Sequence, residues 1–184
     1  VSTEINKYVA LLRGINVGGK RKILMAELKK VLLSKGFTDV ETYIQSGNVV
    51  FNSKEVTPVI LENEISDLIK QSFGHDVPVV VRTQEEWDQL MNVNPFKAED
   101  IDKLHICFLK EEPTQDRIDK LRQYPCSPDQ WHIRGKEVHI LCNGKYHLSK
   151  IGNTTVERQL GVPSTARNYK TIMKLQKMLC DKCY

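Results

Sequence analysis

The run LLRGINVGGKRK, residues 11–22, sets Gly14, Gly19 and Lys20 in the G-x-x-x-x-G-K frame of a phosphate-binding loop. In such a loop backbone N–H groups cradle phosphate oxygens and a lysine neutralises them. The frame is incomplete here. Arg21 stands where magnesium needs a Ser or Thr hydroxyl, VPVVV is followed by Arg82 and Thr83, and HICFL is followed by Lys110. Neither apolar run therefore ends in the acidic residue that would hold the metal, and nucleotide hydrolysis is not expected. Two readings of the loop remain. Gly18 and Gly19 can turn N–H groups toward an anion, with Lys20 and Lys22 adding charge, or the glycines supply the positive φ of a tight turn.

A second polar group lies far along the chain. GKYHLSKIGN, residues 144–153, gathers Lys145, Tyr146, His147, Ser149, Lys150 and Asn153 around an expected helix start. Ser149 suits an N-cap, and that helix end would offer N–H groups and Lys150 to a phosphate or carboxylate. VPSTARNYKTIMKL then places Arg167, Asn168 and Tyr169 just before the last helix. Arg167, in a short buried strand, either braces the turn into that helix or grips an anion with its planar fork. On the helix, Lys170, Lys174 and Lys177 recur at i, i+4 and i+7 with Ile172, Leu175 and Leu179 on the other side, an amphipathic pattern with a basic stripe.

Other chemistry is weakly supported. QSGN, residues 45–48, reads as a two-residue hairpin turn at Gly47 and Asn48. Ser46 or Ser149 could act as a nucleophile only with a base that spacing does not supply. The five histidines form no H-x-x-x-H or H-E-x-x-H pair, and the Cys180–Cys183 C-x-x-C has no second pair spaced like a zinc ribbon. No metal and no cofactor are expected, and an odd cysteine count at scattered positions implies free thiols.

Bulk properties agree with an ordinary globular chain. Of 184 residues 40% are hydrophobic and 27% charged, enough to bury a core without disulfides. No apolar run could span a bilayer and VSTEINK lacks a signal peptide's apolar stretch, so a cytoplasmic protein with no membrane partner is expected. The net charge of +4 is uneven: residues 1–100 carry 12 Lys/Arg against 14 Asp/Glu, and the remainder 15 against 9. That basic second half is either the footprint of a polyanion or phosphorylated small molecule or simply a solvated helix face.

These residues need a scaffold, and the periodicities supply one. KYVALLRGI, NVVFNS and VPVVVRT read as strands, VETYIQS and NVVFNS as a hairpin around Gly47, and the segments from Met25 and from Thr57 to Phe73 as helices, with a short helix around Trp87. The order recurs as LHICFLK, TQDRIDKLRQ, QWHIR, EVHILC, a helix from Ser149 to Leu160, STAR and a final helix. The fold class is therefore α+β, two tandem ferredoxin-like β-α-β-β-α-β units with antiparallel sheets and helices on one face. The halves are 1–94 and 95–184, the second including the basic helix. First and third strands are expected to run parallel, which would put the glycine loop and QSGN at opposite ends of the sheet. An RNA-recognition surface is disfavoured, because the aromatic pattern of that module is absent, although contact with a nucleic-acid backbone stays open.

YVALLRGINVGGKRKILMAELKKVLLSKGFTDVETYIQSGNVVFNS and SKIGNTTVERQLGVPSTARNYKTIMKL together resemble the bacterial family catalogued as domain of unknown function 1697, from Tyr8 to Leu175. The resemblance implies duplicated ferredoxin-like subdomains and no activity. It marks Arg13, Gly14, Asn16, Gly18, Gly19, Gln45, Ser46, Gly47 and Asn48, then Ser149, Lys150, Thr165, Arg167 and Asn168. Tyr169 departs from the family's tryptophan. The expected function is capture of a phosphorylated or anionic ligand in a polar cleft between the halves, through Arg13, Asn16, Gly18, Gly19, Lys20, Ser149, Lys150, Arg167 and Asn168. The alternative is a protein or nucleic-acid-backbone interaction module without catalysis.

Overall fold

A computed structural model describes residues 5–55, 57–96 and 100–181. Lys182 and Cys183 lie outside them, and with them the C-x-x-C. The order is β1 (Asn6–Leu12), α1 (Met25–Ser34), β2 (Thr38–Tyr43), β3 (Asn48–Ser53), α2 (Pro58–Phe73), β4 (Val79–Thr83) and α3 (Gln84–Asn92). It continues as β5 (Leu104–Leu109), α4 (Gln115–Arg122), β6 (Gln130–Arg134), β7 (Glu137–Leu141), α5 (Asn153–Leu160), β8 (Ser164–Asn168) and α6 (Tyr169–Cys180). This is the expected α+β duplication. The sheets run β2-β3-β1-β4 and β6-β7-β5-β8, antiparallel throughout.

Contacts gather the described residues into two units, one of those up to 89 together with those from 175 to 181, the other of those from 90 to 174. The last turns of α6 go with the first unit: Lys7 Nζ donates to the Leu179 carbonyl at 2.6 Å and Gln176 Nε2 to Asp88 Oδ1 at 2.7 Å. Among the described residues no helix is long and apolar enough to cross a membrane.

The central strands explain the rest of each unit. Successive side chains of a strand point to opposite faces. In β1, Tyr8, Ala10 and Leu12 join the core under α1 and α2, while Val9 and Leu11 on the other face are also fully buried. In β5, Cys107 and Leu109 pack under α4 and α5, and Ile106 and Phe108 on the other face are equally buried. Central strands buried on both faces read as continuous apolar runs rather than alternation, as VALL and ICFL do. The helices meet them with single stripes, Met25, Leu28 and Leu32 on α1 and Leu61, Ile65 and Ile69 on α2.

Three expectations need correction. β1 pairs with β3 antiparallel, Leu11 opposite Asn48, so the strands are not parallel and the glycine loop and QSGN share one end of the sheet. The reason is the β-α-β-β order itself: α1 returns the chain so that β2 runs alongside β1 in direction, and the hairpin reverses it for β3. The turn is also longer than Gly-Asn. Tyr43 pairs with Asn48, so residues 44–47 form it, with Ile44 at φ +49° and Gly47 at φ +84°. Asn48 is instead a buried strand residue whose Nδ2 donates to the Tyr43 carbonyl and Ser46 Oγ. Finally, α5 begins at Asn153 behind Gly152, so Ser149 is not its N-cap.

Gly47 is needed twice over. Its φ is left-handed, and a Cβ there would lie 2.7 Å from Leu12 Cβ and 2.8 Å from Ile15 Cδ1, whereas a Cβ on Gly18 or Gly19 meets nothing within 4 Å. Gly47→Ala should therefore cost about 2–4 kcal/mol, strain plus overpacking, and Gly18→Ala only about 1 kcal/mol. Denaturant melts of the two variants compare them directly, the larger shift in midpoint being expected for Gly47→Ala.

Candidate functional site

At the shared sheet end the glycine loop is a small β-hairpin. Val17 and Lys20 form an antiparallel bridge, Lys20 N–H donating to the Val17 carbonyl at 3.1 Å, and Asn16 N–H donates to the Arg21 carbonyl at 3.2 Å. Gly18 at φ +56° and Gly19 at φ +75° occupy its two central positions, the sign pattern of a type I′ turn. This accounts for the paired glycines through backbone geometry. Gly18 and Gly19 N–H have no partner among the described residues.

Asn16 ties this hairpin to the neighbouring turn. Its Nδ2 donates to the Ile23 carbonyl and the Gln45 carbonyl, both at 2.9 Å, and its Oδ1 accepts from Ile23 N–H at 2.9 Å. Asn16 itself sits at φ +55°, a conformation asparagine tolerates better than most residues. Ile44 and Arg21 also have positive φ, so of the four such non-glycine positions among the described residues three crowd one end of one sheet. An isoleucine there is a true outlier, and such strain gathers where a surface is used. Arg13 N–H donates to the Pro78 carbonyl at 3.0 Å, and the Arg13 carbonyl accepts from Arg21 Nη1 at 3.4 Å. Lys20, Arg21 and Lys22 are all exposed. Nearby, Lys70 pairs with Asp76 at 2.8 Å and, with a smaller contribution from Arg21, holds that carboxyl below its usual range.

The second unit places Ser149 and Lys150 around an internal carboxylate that sequence inspection misses. Buried Asp129 accepts from Asn143 N–H at 2.8 Å, Ser149 Oγ at 2.8 Å and Lys150 N–H at 3.2 Å. Burial pushes its pKa up, but those donors and the Lys150 charge outweigh that and leave it lowered. Lys150 Nζ reaches the Ser127 carbonyl at 3.0 Å. Ser149, Lys150 and Asp129 line a pocket of about 170 Å³ with Lys145 and Leu148. Nothing in PCSPDQ marks Asp129 beforehand, because its partners lie fourteen or more residues away. Among the described residues no three His, Cys, Asp or Glu side chains cluster as a metal site.

Arg167 has a counterpart in the other half. Register pairs Arg167 with Ile106 and Arg82 with Val9, the same place in the two sheets. Both are buried, and each Nη1 donates to the preceding carbonyl, Arg167 to Ala166 at 2.8 Å and Arg82 to Val81 at 3.0 Å. Arg167 also donates to Thr165 Oγ1 at 2.8 Å, and burial lowers its pKa to about 10. The next residues match as well. Asn168 Oδ1 accepts from Thr171 N–H, and Thr83 Oγ1 from Glu86 N–H, each holding the first turn of the helix that follows. The signal was present in the sequence as VRT set against ARN.

On the same face of the second sheet, His139 is 2% exposed and both ring nitrogens lack a partner among the described residues. Burial lowers its pKa to about 4, with the His132 and Arg134 charges adding.

Two outcomes follow from this geometry. Arg167→Ala and Arg82→Ala should each cost about 1–3 kcal/mol, and Arg167→Lys should recover only part of the loss, since the lysine side chain is one bond shorter than the arm that carries Nη1 to its two acceptors and lacks the planar fork; paired thermal melts check this. His139 is neutral when folded and binds a proton more readily when unfolded, so its contribution is full above pH about 6.5. It falls as pH drops toward 4, by roughly 3 kcal/mol at most. Stability measured from pH 7 to 4 should lose that slope in His139→Leu.

Comparison with known proteins places the chain without giving it an activity. The profile of the family described as "Protein of unknown function (DUF1697)" matches residues 5–139. A conserved bacterial protein from Streptococcus pneumoniae superposes with a TM-score of 0.77 over 96% of this chain and 99% of that one, at 24% identity, a likeness of fold. No curated protein matches at a significant level. The chain belongs to the DUF1697 family.

Proposed function

We propose that this DUF1697 member binds a phosphorylated or otherwise anionic ligand, in the bacterial cytoplasm, at the sheet end where the glycine hairpin meets the 44–47 turn. One observation carries the reading: Gly18 and Gly19 N–H, without partners among the described residues, sit at the tip of the hairpin whose second strand leads into the exposed Lys20 and Lys22. Oriented N–H groups beside cationic side chains are the elements of an anion nest. The Asn16 bonds hold the hairpin on its sheet, so little ordering cost remains to be met on binding. Arg13 and Asn16 form the base of this site, with Gly18, Gly19 and Lys20 as its contacts. Ser149, Lys150, Arg167 and Asn168 already hold partners inside their own unit, so the contacts are taken from the first half.

A second reading, an interaction module without catalysis, draws on α6. Lys174 and Lys177 are exposed while Ile172, Leu175 and Leu179 are fully buried, so the basic stripe faces water. Lys170 pairs with Asp102, both well exposed, which contributes little to stability.

Calorimetry with inorganic phosphate, mononucleotides and sugar phosphates tests the first reading. Lys20→Ala/Lys22→Ala should weaken binding about tenfold or more while leaving the melting temperature within a degree or two, because both side chains are exposed. Unchanged affinity in that variant, or no response to any of these anions at millimolar concentration, would remove the reading.

A further inference from the structure

The two halves make the same connection at different lengths. From β1 to α1 the chain uses residues 13–24, and from β5 to α4 only residues 110–114, although the backbone leaves both strands identically. Leu12 and Leu109 N–H donate to Gly47 and Lys136, and Arg13 and Lys110 N–H to Pro78 and Pro163. The fold therefore closes with five residues, and the hairpin is an addition it does not require. Additions of this kind carry function more often than stability.

The shape of this addition limits its ligand. A free nucleotide or sugar phosphate is usually taken into a concavity that buries most of it. Here every residue from Val17 to Lys22 is exposed, with Val17 at 63% and, close by, Leu24 at 71% and Ile44 at 49%. This is a two-stranded ribbon with a glycine tip that has no side chains, basic residues along one strand, and bare aliphatic groups at its base. A convex basic ribbon fits a ligand that provides the groove. Duplex DNA does so: its major groove, about 12 Å wide, admits a two-stranded β-ribbon, whose strands lie about 4.8 Å apart. Phosphates along one rim suit Lys20 and Lys22, alternate residues of one strand, and Val17 meets base edges and thymine methyls.

We infer that the Asn16–Arg21 hairpin is a finger that enters the major groove of duplex DNA, a step that rests on the anion-binding reading and specifies its ligand. Lys20, Arg21 and Lys22 contact phosphates, Val17 supplies apolar contact, and Ile44 and Leu24 pack beside the backbone. With two or three phosphates neutralised, binding is weak and its logarithm falls with log salt at a slope of about −2 to −3.

Fluorescence anisotropy on the full chain tests this with a labelled 20-base-pair duplex at 50–200 mM salt. Parallel arms carry the matching single strand, mononucleotides, and phosphatidylserine–phosphatidylcholine vesicles. The expected result is tightest binding to the duplex, at the stated slope. Lys20→Glu/Lys22→Glu should lose it more than tenfold with an unchanged melting temperature, Lys20→Arg/Lys22→Arg should keep it, and Val17→Ser should weaken it without changing the slope. Duplex binding that is indifferent to the Glu pair overturns the inference. So does a duplex that binds no better than mononucleotides or vesicles, although anion binding at the hairpin then stands. If neither duplex nor any phosphate binds, both readings fall together.

Discussion

Both units depend on a central strand held out of water on its two faces. β1 and β5 each lie between two antiparallel neighbours, with one set of alternate side chains under the unit's helices and the other set equally buried. A strand in that position can slip by one residue only by exchanging the contents of two packed faces, so register is strongly specified. The fixed register is what makes the duplication visible at the level of single atoms. Leucines, prolines and arginines recur at matching places although the halves share little sequence, and the buried arginines next to Val9 and Ile106 are the clearest pair. A buried guanidinium needs acceptors, and in both halves the carbonyl of the preceding residue provides one.

With the scaffold fixed, the antiparallel relation of β1 to β3 decides what can meet at the sheet end. Asn16 then joins three pieces of chain with one side chain. The amide suits this task because it donates and accepts at once, and because asparagine accepts positive φ. An aspartate there would lose the bonds Asn16 donates, and a leucine would lose the accepted bond as well. The strain at Ile44 and the exposed aliphatic residues nearby are tolerated because the core beneath, from Ile15 and Leu12, is closed.

Most of the architecture could be read from the sequence because both its periods are strong. Apolar runs such as VALL and ICFL and the helical stripes at Met25, Leu28 and Leu32 identify the elements, and their repeated order identifies the duplication. What misled was relational. The direction of β3 follows only from tracing α1 back across the sheet, and a parallel reading of β1 and β3 separates two motifs that in fact adjoin. QSGN suggested a two-residue turn, but the strong asparagine and glycine signal hid Ile44, a residue no turn preference would place at positive φ. Asp129 gave no local sign, since a buried carboxylate is recognised by donors that only the folded chain brings together. Ser149 was visible as a polar residue before a helix, yet its hydroxyl serves Asp129 rather than the helix end.

The path of α6 has a consequence for how the protein is made. The first unit includes the described residues from 175 to 181, and the Lys7 ammonium is met by the carbonyl of Leu179. On the ribosome, β1 through α3 emerge well before that partner has been synthesised. Domains commonly fold in the order in which they are translated, but here the earlier unit must wait for the later one to pass through the exit tunnel. Until then the nascent first half carries an unfilled flank, and the chain is completed at both units only when translation has run past residue 179.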